Sequence, residues 1–436
     1  MKVKFDRLTA VRWSVGVIGL FLFVLVNLYD FINPNFIAVY VLFLSLFLLW
    51  YVRKNFALFI VSAILAYCNY SVVFSQYVVI KQNTIFTTFS NTEYSTQAIH
   101  IMLLFWSVLV ICMSAKPLPL KMIDLKKHEK KTGNYSVIVQ CILLGLAVVL
   151  VAIFYYGFDR PEIIGARGAP SAIYEYSIII FIVSFYYSYE YKFCKILISA
   201  ILFLFAMQNL VFGGRITALQ LLIVFYMMVL SPQLSLKKAA PFILVGFILM
   251  SVIGVVRGTL LSGDFSVLSI LENLKEQLFT LDTAYSAYHT SITMLLTELK
   301  LSWNERVVCF FDLFSSIIKG KYLGSKADIS SFSRQFYVHS YGGVLPFYFH
   351  FYLGNFGVIL IAFFISKVLG VCAKLSKECD SGLRKCVTVY IVASAFRWYL
   401  YSPIQITRGL LLMICVYLGL TAFIDALTNK KIIIRK

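Results

Sequence analysis

Apolar residues run through this chain in blocks of roughly 20, the length an α-helix needs to cross the hydrocarbon core of a bilayer. Short polar linkers separate the blocks. They predict spans near residues 11–29, 35–52, 57–78, 98–115, 135–156, 172–189, 193–211, 216–231, 240–257, 346–368, 386–402 and 409–427. Between 258 and 345 the pattern changes to one-sided helical periodicity. Asp264 is placed to cap a helix with Phe265, Leu268, Leu271, Leu274 and Leu278 on one face and Glu272, Lys275 and Glu276 on the other. A second helix is expected from Asp282 to Lys300. Asn304 is placed to cap a third, with Val307, Val308, Phe311, Phe314 and Ile318 as its apolar stripe. Such helices lie on the bilayer interface or pack on a bundle. After Gly320 the stretch KYLGSKADISSFSRQ reads as a polar loop.

The expected fold class is therefore all-α, a polytopic membrane protein of about twelve transmembrane helices. Residues 1–257 hold spans one to nine, 258–345 form one long helical extracytoplasmic loop, and 346–436 hold the last three spans and a tail. No internal repeat is visible. The first apolar run follows MKVKFDR without a small-residue cleavage site, so it reads as a retained span rather than a signal peptide.

Composition fits this picture: the 436 residues are 60% hydrophobic and 14% charged. A net charge of +19 raises the question of nucleic acid, but Lys and Arg fall in short clusters between apolar runs. With twelve spans, every cluster from Lys2, Lys4 and Arg7 to Arg435 and Lys436 lands on one side, which puts both termini in the cytoplasm by the positive-inside rule. No nucleic-acid partner is expected, and the lipid bilayer is. The long loop, with seven Lys or Arg against eight Asp or Glu, is nearly neutral, as a translocated segment can be. Nine cysteines show neither a disulfide framework nor metal-type spacing, so no metal site is expected.

The candidate chemistry is cationic. In that topology Arg160, Arg215, Arg257, Arg397 and Arg408 sit at or near the outer span ends, and Arg397 lies inside the apolar run AFRWYLY. A charge at mid-membrane costs roughly 2.5–3.5 kcal/mol on insertion scales, so such arginines face a cavity and a partner, or snorkel to the interface. Guanidinium forks match phosphate oxygens. Gly213 and Gly214 allow a tight turn and close backbone approach before Arg215, and Gly342 and Gly343 form a second pair flanked by His339 and His350. Either histidine has the chemistry of a general base for a sugar hydroxyl. Tyr337, Tyr341, Tyr348 and Tyr352 offer faces for sugar rings or belong to an interfacial aromatic belt. Asp282, Glu305 and Asp312 are rival bases, unless they lie on solvated helix faces. The chain has no P-loop, no Asp-x-Asp pair and no metalloprotease motif.

With GGR at 213–215 opening a span, Arg257 closing the span before one long loop, and the second Gly pair followed by LGNFG at 353–357, the sequence resembles the Wzy-type O-antigen or oligosaccharide repeat-unit polymerases of bacterial envelopes. The likeness covers most of the chain as architecture. It departs where the family often carries an acidic residue before NFG: here stand Phe349, His350, Phe351 and Tyr352. The resemblance implies a glycosyltransferase of the inner membrane acting on undecaprenyl-pyrophosphate-linked oligosaccharides, without a cofactor, and in partnership with a chain-length-regulating co-polymerase. It implies that Arg215, Arg257 and Arg397, with Arg334 and Arg408, hold the pyrophosphate and that His339 or His350 takes the proton. Two rivals are a lipid-linked oligosaccharide flippase, for which short outer loops and two related halves are expected, and an O-antigen ligase of similar topology.

Overall fold

The computed structural model describes residues 7–29, 33–77, 93–113, 141–149, 172–188, 191–211, 214–230, 241, 252, 256, 266–268, 271–272, 283–319, 326, 328–337, 342–378 and 382–434. Every regular element among them is helical. In chain order they are α1 (Arg7–Leu28), α2 (Pro34–Val52), α3 (Phe56–Tyr77), α4 (Glu93–Cys112), α5 (Ala172–Tyr187), α6 (Lys192–Val211) and α7 (Arg215–Phe225), which runs on into a π-type turn at Tyr226–Leu230. There follow α8 (Thr283–Glu298), α9 (Trp303–Lys319), α10 (Ile329–Ser333), α11 (Leu345–Glu378), α12 (Gly382–Ala393), α13 (Ala395–Leu400) and α14 (Ile404–Ile434).

Six of these, α1, α2, α4, α6, α11 and α14, are long and apolar enough to cross a membrane, and Ala57–Tyr70, Tyr176–Tyr187 and Arg215–Leu230 are shorter apolar helices. Two corrections to the twelve-span reading follow, and two of its spans go untested. The described residues carry six helices of spanning length, not twelve. The span expected at 386–402 is two pieces broken at Ser394, α12 and α13, each too short to cross alone. The spans expected near 135–156 and 240–257 lie outside the described residues, apart from 141–149 and single positions.

α1 shows why these helices belong in lipid. Its inward residues are Arg12, Gly16, Gly19 and Val26, one stripe of small or polar side chains, while Val17, Ile18, Phe21 and Leu28 point outward. A soluble core helix has the opposite arrangement. Hydrocarbon chains are as apolar as leucine, so helices associate through small residues and polar contacts instead. A Cβ on Gly16 would lie 3.1 Å from the Ser107 carbonyl oxygen of α4. Asn69, fully buried on α3, ties three helices together: Trp106 Nε1 donates to its Oδ1 at 3.0 Å, and its Nδ2 donates to the Val41 carbonyl at 3.2 Å.

The chain divides into two compact units. The first comprises Met1–Leu120, Phe279–Lys374 and Ala395–Arg408, and so gathers α1 to α4, α8 to α10, α13 and most of α11. The second comprises Lys121–Leu278, Leu375–Ser394 and Gly409–Lys436. Inside the second, Phe181 stacks on Phe205 at 6.0 Å. Tyr187 meets Thr421 at 3.1 Å, and Gly382 lies under the Tyr186 and Tyr417 hydroxyls.

The 258–345 segment departs furthest from expectation. α8 is not a surface helix: His289, Thr290, Ser291, Thr293 and Thr297 are all buried, and the helix packs on α3, α4, α10 and α13. Its hydroxyls satisfy themselves locally, Thr290 donating to the Ser286 carbonyl at 3.0 Å, Ser291 to Ala287 at 2.8 Å and Thr297 to Thr293 at 2.8 Å. A helix that reads as polar is therefore able to sit in a dry core. In α9 the apolar stripe faces outward, as the interfacial alternative expects: Val308, Phe311, Phe314 and Ile318 are exposed, and Cys309, Leu313 and Ser316 are buried. Its cap also moves. Ser302 Oγ accepts from the Glu305 amide at 3.4 Å while the Ser302 amide donates back to Glu305 Oε2 at 2.9 Å, a reciprocal capping box where Asn304 was expected. Leu268 and Leu271, expected on a packed face, are exposed, and the rest of that helix, with Asp264, lies outside the described residues.

The cap assignment is testable: Ser302→Ala should destabilise the protein by about 1 kcal/mol, whereas Asn304→Ala should leave it unchanged, read as thermal unfolding in detergent. Backbone geometry makes a second prediction. Gly342 has φ +106°, and a Cβ there would stand 2.7 Å from the Leu400 carbonyl oxygen. Gly342→Ala should therefore cost about 1–3 kcal/mol. Gly419→Ala, on α14 with nothing within 4 Å of the new Cβ, should be neutral or stabilising by up to about 1 kcal/mol.

Candidate functional site

The candidate site is organised by a break in α11. Leu353 (φ −131°, ψ 16°) and Gly354 (φ 59°, ψ −149°) leave helical geometry, so Leu345 to Tyr352 is one short helix and Asn355 to Glu378 a second. The Gly354 conformation is essentially closed to any residue with a Cβ. This gives the LGNFG motif a structural meaning: Gly354 makes the break, and a Cβ at Gly357 would collide with the Phe349 carbonyl.

A broken helix leaves carbonyls without partners at the end of its first half. Arg306, in the first turns of α9, fills that gap. Its Nε donates to the Phe351 carbonyl and one terminal nitrogen donates to the His350 carbonyl at 2.9 Å. The same nitrogen lies 3.3 Å from Glu298 Oε1, and the guanidinium carbon stands 5.4 Å from the Trp303 ring centre and 5.6 Å from that of Phe351. Glu298 ends α8, where the helix dipole disfavours an anion; the guanidinium supplies the compensating charge.

Glu298 Oε1 also meets His350 Nδ1 at 2.6 Å. The three side chains are 12%, 13% and 8% exposed for Glu298, Arg306 and His350, so the pair and its imidazole are largely out of water yet reachable. An ionised carboxylate accepts only, so the neutral imidazole donates from Nδ1 and carries its lone pair on Nε2. A carboxylate-oriented imidazole beside a fixed cation is the arrangement a general base requires. Phe310 lies 6.3 Å from Phe349 and 6.1 Å from Tyr352, ring centre to ring centre, which packs α9 on the short helix that carries the histidine.

Other expected residues lie near this helix. Gly343 donates its amide to the Leu400 carbonyl at 2.9 Å, Gly342 accepts a close approach from Tyr401, and the Tyr348 hydroxyl donates to the Tyr401 carbonyl at 2.5 Å. Thus the second Gly pair is seated on the segment that carries Arg397. Arg397 is 4% exposed, with its guanidinium carbon 5.6 Å from the Tyr401 ring. Arg334 is exposed at the end of α10, and Arg408 is half-buried on α14. Gly214 and Arg215 belong to the second unit, where Gly214 precedes α7 and Arg215 is its first residue. A cation there is of the wrong sign for the helix dipole, so that end attracts anions. Gly213, Arg257 and His339 lie outside the described residues, as do Arg160, Tyr341 and Asp282.

Of the rival carboxylates, Glu305 is occupied by the α9 cap and by Lys326 at 2.9 Å. That ammonium and the Ser302 amide hold its carboxyl down to about 2, so it is no base. Asp328 is pushed up by burial, and its Oδ2 accepts from the Ser331 hydroxyl at 2.6 Å. Sequence reasoning missed Glu298 and Arg306. The available signal was Ser302-Trp-Asn-Glu305, a capping box that restarts a helix and brings Arg306 back over the end of α8.

Breaking the Arg306 clamp is testable. Arg306→Ala leaves a buried carboxylate and two carbonyls without their partner, which should cost about 3–5 kcal/mol. Arg306→Lys should recover only part of this, because an ammonium cannot reproduce the planar fork; comparison of unfolding temperatures in detergent decides it. Against known proteins, the chain matches no family model, no curated protein and no solved structure.

Proposed function

We propose that this membrane protein is a polymerase of undecaprenyl-pyrophosphate-linked oligosaccharide repeat units, working on the outer face of a bacterial inner membrane with both termini in the cytoplasm. In this reading the apolar runs near 135–156 and 240–257 also cross the bilayer, giving about twelve spans. The observation that carries the proposal is the Glu298–His350 pair at the break of α11, 2.6 Å apart and clamped by Arg306, directly before the LGNFG segment.

The reaction follows from the groups. A hydroxyl of the incoming lipid-linked unit is the nucleophile, and its proton passes to His350 Nε2 as the oxygen attacks the anomeric carbon of the growing glycan. The bond from that carbon to the pyrophosphate oxygen breaks. Undecaprenyl pyrophosphate departs with the electron pair, and the imidazolium keeps the proton until water removes it. Glu298 stabilises the imidazolium. Arg397, with Arg334 and Arg408 of the same unit, receives the charge that grows on the leaving pyrophosphate. The donor is already activated, so no nucleotide or cofactor enters.

The test is the surface glycan of a strain whose own gene is replaced by variants expressed at normal level. His350→Ala should lose the polymer ladder and retain single repeat units, a rate loss of about 10²–10⁴ for a missing general base. Glu298→Gln should reduce polymer length less and move the pH profile of polymerisation in membranes. Arg397→Ala should also lose the ladder. Full-length polymer from His350→Ala and Glu298→Gln would reject the base assignment, and loss of every attached repeat unit would point to export or ligation instead.

A further inference from the structure

A second cationic site stands apart from the one above. Arg12, on the inward stripe of α1, is 5% exposed. Its Nε and one terminal nitrogen are buried without a hydrogen-bond partner, and it has no ion pair among the described residues. Its neighbours are neutral: the Tyr51 ring, 5.5 Å from the guanidinium carbon, and Cys112 at the end of α4. Lys367 of α11 also lies near Cys112, with its ammonium exposed over the Phe363 ring at 4.8 Å. Arg53 closes the end of α2 just after Tyr51. A guanidinium does not deprotonate to escape burial, so its charge calls for an anion from outside the described chain.

We propose that Arg12, with Lys367 at its rim, binds one phosphate group, presented by the headgroup of an anionic phospholipid. A guanidinium forms charge-assisted hydrogen bonds to phosphate oxygens, and each of the two unpartnered nitrogens has a donor to give. The depth is right: Arg12 lies one to two turns inside the end of α1, level with the basic ends Arg53 and Lys54, where headgroups meet protein. Val11, Trp13 and Val17 of the same helix are exposed and apolar, so the side of α1 that lipid covers flanks the site. The stripe that carries Arg12 is held against α4 by Gly16 and Gly19, so the guanidinium is fixed before any ligand arrives.

The experiment compares full-length wild type and Arg12→Gln in a neutral detergent with added phosphatidylcholine, phosphatidylglycerol or inorganic phosphate, reading unfolding temperature and, by native mass spectrometry, retained lipid. Phosphatidylglycerol should raise the wild-type unfolding temperature above that in phosphatidylcholine, and wild type should keep one such lipid with about tenfold or greater preference over the variant. In phosphatidylcholine alone Arg12→Gln should be no less stable than wild type, because it removes a buried charge that lacks a partner. An equal rise with inorganic phosphate, lost in the variant, would retain the phosphate site and reject its lipid source. Loss of stability in Arg12→Gln under all three conditions, or an undiminished phosphatidylglycerol effect, would overturn the proposal. Should Arg12→Gln fail to express, Lys367→Gln, a change at an exposed side chain, must weaken the phosphatidylglycerol effect or the proposal falls.

Discussion

The first unit depends on how the protein terminates a helix inside itself. Hydrocarbon offers no water to a broken helix, so a break is tolerated only where protein groups take the freed carbonyls. Here one arginine does so. Arg306 reaches from α9 to the carbonyls of His350 and Phe351, and its charge is balanced by Glu298 at the end of α8. The carboxylate that balances the clamp is also the one that orients His350. Structure and candidate chemistry therefore share a single ion pair, and neither can be altered without the other.

The remaining contacts hold that arrangement still. Val344, just before α11, donates its amide to Ser291 of α8 at 2.8 Å, and Gly342 donates to Ser330 of α10 at 3.0 Å. The first half of α11 is thus tethered at its start by two hydroxyls and at its end by a guanidinium. A short helix pinned at both ends is a firm support for an imidazole.

Much of the helical layout was legible in the sequence because uninterrupted apolar runs have one physical outcome in a bilayer. α1, α2, α3, α5 and α6 begin and end within a few residues of expectation. In the 283–319 region the helices fall where expected, at Thr283–Glu298 and Trp303–Lys319, but their surroundings were not legible, for two reasons. In α8 the serines and threonines bond their own helix, so polar composition did not mean exposure. In α9 the apolar stripe left bilayer interface and bundle packing both open, because lipid and protein are equal candidates for an apolar partner, and only its exposure in the fold separates them. Of the expected site, His350, Arg397 and the glycines at 342 and 343 fall within the first unit, but the partners that make His350 chemically interesting came from residues that looked like ordinary linker charges. Pairing across 52 positions of chain leaves no local trace.

The burial of α8 also constrains how the protein is made. Its sequence is too polar to enter a bilayer as an independent span, yet its neighbours α3, α4 and α13 lie on both sides of it in the chain. The first four helices must therefore wait in the membrane with an unfilled seam between α3 and α4 while nearly three hundred further residues are synthesised. Only when α13 has emerged does the seam close. Biogenesis of this unit is consequently a late, post-insertion event, and the interval before closure is when the chain is most exposed to quality control.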